Sequence, residues 1–232
     1  MNKQSNLYTL IYITVLVLVV GTALAFTSIS LKDRQQANAD ADKMRQILSS
    51  VNITVASDSI MQAYSRYITD SYVVNESGAK VPGEDAFAID MASQSKVAPQ
   101  SRLLPVYVCT LADGSTKYIL PLYGAGLRGP IWGYVSVDAD GSTVYGAYFA
   151  HQGETPGLGA EIARPYFSER FAGKHIMADH RFEPIAVVKP GMGNPDGGEY
   201  VDGISGGTIT SRGVGAMLDN CLAPYAAFLN SL

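Results

Sequence analysis

The 232-residue chain is poor in the residues that build metal centres and disulfide scaffolds. It has two cysteines, three histidines and one tryptophan. Cys109 and Cys221 stand far apart with no C-x-x-C pairing, which removes zinc and iron–sulfur signatures. They read as two buried thiols, the alternative being a disulfide, which would need an oxidising compartment. His151 has Glu154 nearby but no second histidine at ligand spacing, so a satisfied polar pair is expected there and no metal. Positive charge is also scarce. Outside the first 34 residues there are 14 basic and 20 acidic residues, and this acidic body has no basic stripe for nucleic acid.

One stretch has no charge at all. Residues 7–29, "LYTLIYITVLVLVVGTALAFTSI", would span about 34 Å as a helix, enough to cross a bilayer core. Its apolar run is longer than the core of a cleavable signal, the alternative that the weak cleavage pattern in "ALAF" offers, and Tyr8, Tyr12 and Phe26 suit the two interfaces. A single-pass anchor is expected, with residues 1–6 as a cytoplasmic N-terminus. Lys32, Arg34, Lys43 and Arg45 follow the span, so charge counting leans toward a body on the inner side; large domains override that rule.

Residues 30–75 read as a juxtamembrane helical segment. Residues 33–49 lack Gly and Pro, and Ile60, Met61, Tyr64, Tyr67, Ile68 and Tyr72 recur near helical spacing over 58–73. From 76 to 232 the pattern is that of an α+β domain. "LLPVYVCTL", "KYILPLY", "WGYVSV" and "TVYGAYFA" read as strands, with Asp-Gly turns at 113–114 and 140–141. A short helix broken near Pro165 and a strand in "FEPIAVVKP" follow. Val214, Met217, Leu218, Cys221, Leu222 and Tyr225 form the apolar stripe of a last helix. Helices, then antiparallel strands, then mixed elements exclude a doubly wound sheet.

Two familiar patterns fail in context. "GAGLRG" (124–129) matches G-x-G-x-x-G, but a proline and a strand follow it where a nucleotide-binding helix should begin. It reads as a hairpin connection. "GISGG" (203–207) matches the nucleophile elbow around Ser205, yet all three histidines precede it, against the order such hydrolases use.

What remains is two Gly-rich stretches. In "HQGETPGLGA" (151–160), Pro156 fixes a turn while Gly157 and Gly159 allow close backbone approach, suiting either a flat ligand or a plain surface turn. In "VDGISGGTITSRGVG" (201–215), Gly206 and Gly207 precede Thr208, Thr210 and Ser211 at the start of the final helix. The unpaired amides and dipole of that helix end favour an anion, held noncovalently or esterified to a hydroxyl. The alternative is an N-cap by Thr210 or Ser211 with no ligand.

With "SLKDRQQANADADKMRQIL", "PLYGAGLRGPIWGYV", "GETPGLGAEI" and "VVKPG…EYVDGISGGTITSRGV" in this order, nearly the whole chain resembles the C subunits of the sodium-translocating NADH:quinone oxidoreductases. The family's motif (Asp, two residues, Ser or Thr, Gly, Ala, Thr) falls on Asp202, Ser205, Gly206, Gly207 and Thr208, with Gly207 replacing the usual alanine. The resemblance implies FMN joined to Thr208 through a phosphoester by a flavin transferase that uses FAD and Mg²⁺. It implies an electron-relay subunit of a respiratory complex in the bacterial inner membrane, with its soluble domain on the periplasmic side and other subunits as partners. By the same resemblance Glu154, Thr155, Gly157, Leu158 and Gly159 flank the flavin ring, and Lys189 lies near it. Ser205, Gly206, Gly207 and Thr210 complete the cofactor-binding set, while Asp202 serves transferase recognition or the turn. The G subunit of the ferredoxin:NAD oxidoreductase (Rnf) complex resembles the chain at the same motif. A membrane-anchored module without cofactor is the remaining alternative.

Overall fold

A computed structural model describes residues 6–195 and 197–232. Two compact units divide at Lys43/Met44. The described part of the first lies within helix α1 (Asn6–Ser50), whose apolar window has no buried residue and is long enough to cross a membrane. Thr14, Thr22 and Thr27 donate their hydroxyls to carbonyls four residues back, at 2.9, 2.7 and 2.8 Å. No side-chain donor of these threonines is left for water, as a helix in hydrocarbon requires.

The second unit, Met44–Leu232, is built on a five-stranded antiparallel sheet in sequential order. After α2 (Ile60–Tyr67) come β1 (Ile68–Val74), the short α3 (Met91–Gln94), β2 (Leu104–Thr110), β3 (Thr116–Ala125), β4 (Pro130–Asp138) and β5 (Val144–His151). Beyond the sheet follow α4 (Pro165–Ser168), a hairpin of β6 (Met177–Ala178) and β7 (Arg181–Phe182), and a parallel pair, β8 (Ala186–Val188) and β9 (Tyr200–Asp202). Helix α5 (Thr208–Leu222) and α6 (Ala226–Leu229) end the chain. The architecture is α+β, as expected from the order of patterns.

Alternation along the strands sorts the core into two layers. Val106, Leu120, Leu122 and Val135 face α5, with Val214, Met217, Leu218 and Leu222 opposite them. Tyr107, Cys109, Ile119 and Tyr134 point the other way, onto Ile47, Val51 and Ala86. The two thiols are therefore free, buried and on opposite faces of the sheet. Helix α5 is keyed to β3 at Cys221, whose S–H donates to the Tyr123 carbonyl at 3.3 Å and whose sulfur accepts the Tyr123 amide at 3.4 Å.

The helical reading of 58–73 fails in its second half. The helix stops at Tyr67, and Ile68–Val74 becomes the edge strand paired to β2, Tyr72 opposite Val106. Ile68, Thr69, Val73 and Val74 are β-branched, and the ladder along β2 outweighs a weak helical periodicity. The compact unit correspondingly starts at Met44, ahead of the expected boundary at 76. Gln46 accepts the Trp132 indole N–H at 3.0 Å, and the Ser50 carbonyl accepts the Ser136 hydroxyl at 2.6 Å. The strand expected in "FEPIAVVKP" shrinks to Ala186–Val188.

Candidate functional site

The two Gly-rich stretches meet at the N-terminus of α5, and one buried carboxylate joins them. Glu154 is 6% exposed. Its Oε1 accepts the Arg128 amide at 2.8 Å, from the β3–β4 turn, and its Oε2 accepts the Thr210 hydroxyl at 2.7 Å, from α5. Its own amide donates to His151 Nδ1 at 3.2 Å, so the expected His151–Glu154 pair forms through the backbone. Burial opposes the charged carboxylate, but hydrogen bonds from the Arg128 amide, the Thr210 hydroxyl and the Leu127 amide outweigh it. The net result is a pKa below the ordinary glutamate value. A Cβ at Gly159 would collide with both Glu154 Oε2 and Thr210 Oγ1, so only glycine leaves room for this bond.

Thr210 and Ser211 do not cap α5. The cap position is Gly207 with no side-chain bond. The Thr210 hydroxyl is spent on Glu154, and Ser211 Oγ accepts the Ile204 amide at 2.8 Å, closing the 204–211 loop from inside. The chain amides of Thr208, Ile209 and Thr210 find no acceptor among the described residues, while Ser211 bonds back to the Gly207 carbonyl at 2.9 Å. Gly206, at φ +76°, turns the chain so that Thr208 emerges exposed at the helix start.

Thr208 lies where two cavities meet. One, of about 340 Å³, is lined by Thr208, Lys189, Arg212, Met192, Val187 and Pro190. Lys189 and Arg212 are exposed and form no ion pair among the described residues. The other, of about 220 Å³, is lined by Thr208, Leu127, Leu158, Ile209, Thr155 and Glu154. Its rim is apolar: Leu127, Leu158 and Ile209 are 57%, 43% and 56% exposed. Exposed leucine and isoleucine grouped beside a free helix end suit a flat apolar ligand with an anionic tail.

Most of the expected site residues converge here. Thr155, Leu158, Gly159, Gly206, Gly207 and Thr210 line the apolar cavity with Thr208, and Lys189 lines the cationic one. Gly157, Asp202 and Ser205 face a third cavity, of about 570 Å³, with Glu161, Tyr166 and Arg170. Three further residues line these cavities. Leu127 sits in the "GAGLRG" hairpin, read only as a connection. Ile209 is an apolar residue off the buried stripe of α5. Arg212 falls one helical turn after Thr208, a spacing that puts both on one face.

The sequence family described as "FMN-binding domain" matches residues 126–223, which hold Thr208, the Glu154 loop and the β3–β4 turn. The chain is 35% identical to the C subunit of the Na(+)-translocating NADH-quinone reductase of Vibrio anguillarum, over 92% of this chain and 89% of that one. It is 31% identical to the Yersinia pestis C subunit, over 92% and 87%. A solved structure of the C subunit from Parabacteroides distasonis matches at TM-score 0.81 and 51% identity, covering 87% of this chain and 98% of that one. The Shewanella oneidensis protein shares the fold at TM-score 0.70 and 22% identity, over 84% and 98%. The chain belongs to the family of Na(+)-translocating NADH-quinone reductase C subunits.

Proposed function

We propose that this chain is the membrane-anchored electron-relay subunit of a sodium-pumping NADH:quinone reductase, carrying FMN on Thr208 through a phosphoester bond. The observation that carries the reading is the exposed Thr208 hydroxyl, which makes no hydrogen bond among the described residues and stands between cationic and apolar cavities. The residues suit the group. Three free amides of α5, Lys189 and Arg212 supply positive potential for a phosphate. Leu127, Leu158 and Ile209 offer an apolar seat of the kind an isoalloxazine ring requires.

When bound, FMN supplies reversible electron transfer; the protein supplies position and electrostatics. Thr208 fixes one end of the group, and the Glu154–Thr210 bond holds the seat's two loops against α5. Glu154 thus supports the seat from behind, with both carboxylate oxygens engaged by protein donors. No residue here is assigned as an acid or base. Thr208 Oγ would be the attachment point: its bond to the flavin-side phosphate of FAD would replace the pyrophosphate link, with AMP as the leaving group and the threonine proton passing to the transferase or solvent. The uncharged span 7–29 anchors the chain in the inner membrane with the FMN-binding domain on the periplasmic side.

Purification from a host that expresses the flavin transferase tests this reading. A flavin-fluorescent band that survives denaturing electrophoresis, together with co-purifying NADH:quinone reductase subunits, is the expected result. Ferredoxin:NAD oxidoreductase subunits in their place would reassign the complex. A chain without flavin from that host would return it to a binding module.

A further inference from the structure

The parallel strands β8 and β9 pair Val188 with Asp202, and residues 189–199 connect them. This connection opens with a turn, Lys189-Pro190-Gly191-Met192, closed by the Met192 amide on the Lys189 carbonyl at 3.1 Å. Pro190 at the second position and Gly191 at φ +77° are the type II arrangement. The turn also has an outside attachment. Asp202 Oδ1 accepts the Gly191 amide at 3.2 Å. Asp202 is itself held from the other side, because the Arg170 guanidinium donates to its carbonyl oxygen and to that of Gly203. Beyond Asp202 the Gly203 amide donates to the Val188 carbonyl at 2.7 Å, so strand exit and motif entry are tied together. The turn carries Lys189, Pro190 and Met192 into the cavity that Thr208 and Arg212 share.

We infer that Asp202 is a positioning residue of the attachment site: its carboxylate pins the Lys189–Met192 turn and so keeps Lys189 at the phosphate side of Thr208. The motif's aspartate then acts within this chain, through a loop, rather than as a charge read by the modifying enzyme. The inference rests on Thr208 being the flavin tether. The carboxylate is the one side-chain acceptor on the turn among the described residues, and the rest of the connection is glycine-rich, with Gly193, Gly197 and Gly198 also at positive φ. Released from Asp202, the turn keeps its own Met192–Lys189 bond but loses its side-chain tie to β9, and the glycines around it let it swing as a unit.

The test separates a hydrogen-bond acceptor from a negative charge, using the full chain in detergent micelles. Asp202→Asn keeps an oxygen for the Gly191 amide and removes the charge; Asp202→Ala removes both. In Asp202→Ala, amide exchange of the peptide holding Gly191 and Met192 should accelerate about tenfold, the loss of one hydrogen bond. Transferase-dependent FMN incorporation from FAD should slow by a similar factor. Asp202→Asn should stay within about twofold of wild type in both readouts. The double variant Asp202→Ala/Lys189→Gln should be no slower than the slower single, because both act through one cation.

Unchanged exchange in Asp202→Ala would overturn the inference. So would Asp202→Asn slowing incorporation as much as Asp202→Ala while its exchange stays wild-type, which would make Asp202 a recognition charge. Trp132 fluorescence verifies folding of each variant. Should the wild-type chain take up no flavin, the tether reading fails by itself, and the exchange comparison still decides whether Asp202 holds the turn.

Discussion

Replacing Glu154 tests whether one buried carboxylate holds the site together. In Glu154→Ala the Arg128 amide loses its 2.8 Å partner and the Thr210 hydroxyl its 2.7 Å partner, at a position 6% exposed. A donor left without a partner costs about 1–3 kcal/mol, and the Arg128 side can recover water at the exposed turn. The expected destabilisation is about 2–4 kcal/mol. Glu154→Gln keeps one acceptor oxygen and should cost about 1–2 kcal/mol. The pH dependence has a definite sign. The folded-state pKa of Glu154 is depressed below 4.5, so its stabilisation is fully present above that value. It is lost as pH falls through the folded pKa. Glu154→Gln should therefore flatten part of the acid limb and leave the slope at neutral pH alone. Urea unfolding of the full chain in micelles, followed at Trp132, the one tryptophan, measures both effects. A Glu154→Ala chain within about 0.5 kcal/mol of wild type, the range of ordinary surface changes, would refute the reasoning. An unchanged acid limb in Glu154→Gln would refute it too.

Glycine substitutions should divide by what surrounds them. Gly159→Ala drives a methyl into Glu154 Oε2 and Thr210 Oγ1 and should lower stability by about 1–3 kcal/mol in the same assay. Gly207→Ala adds a methyl at φ −105°, its carbon 3.1 Å from Ile204 Cβ. It should change stability by less than about 1 kcal/mol and leave FMN incorporation intact. Both thiols should resist maleimide labelling at pH 8 until the domain unfolds: burial raises the Cys109 thiol to about 11 and raises Cys221 as well.

The parts of the fold legible in sequence are those where one local signal agrees with the tertiary outcome. Alternating apolar residues between Asp-Gly turns marked β2 to β5, and the Val214–Leu222 stripe marked α5 and its buried face. Strand β1 was hidden because Tyr64, Tyr67, Ile68 and Tyr72 fit a helical repeat, while its pairing partners lie thirty or more residues on. Within the site, glycines and hydroxyls marked the α5 N-terminus, since backbone demands are written locally. Glu154 could be singled out from its Gly-rich stretch, but its bonds to Arg128 and Thr210 depend on chain separations of 26 and 56 residues. Leu127 and Ile209 became part of the site only when the β3–β4 turn and α5 were brought to the same cavity. An exposed apolar residue beside a predicted helix start was the available clue for Ile209.

At Ser205 the local pattern and the structure diverge most. The elbow pattern points to it, yet this residue lines the cavity of Tyr166 and Arg170 and neither of the two that Thr208 lines. The central claim is that Thr208 is the flavin tether, and fragment-ion mass spectrometry of the 201–215 region tests it most directly. Protein from a transferase-containing host should carry one FMN phosphoester localised to Thr208, absent in Thr208→Ala and retained in Ser205→Ala. An adduct on Ser205 or Thr210, or none on the wild-type chain, would contradict the account.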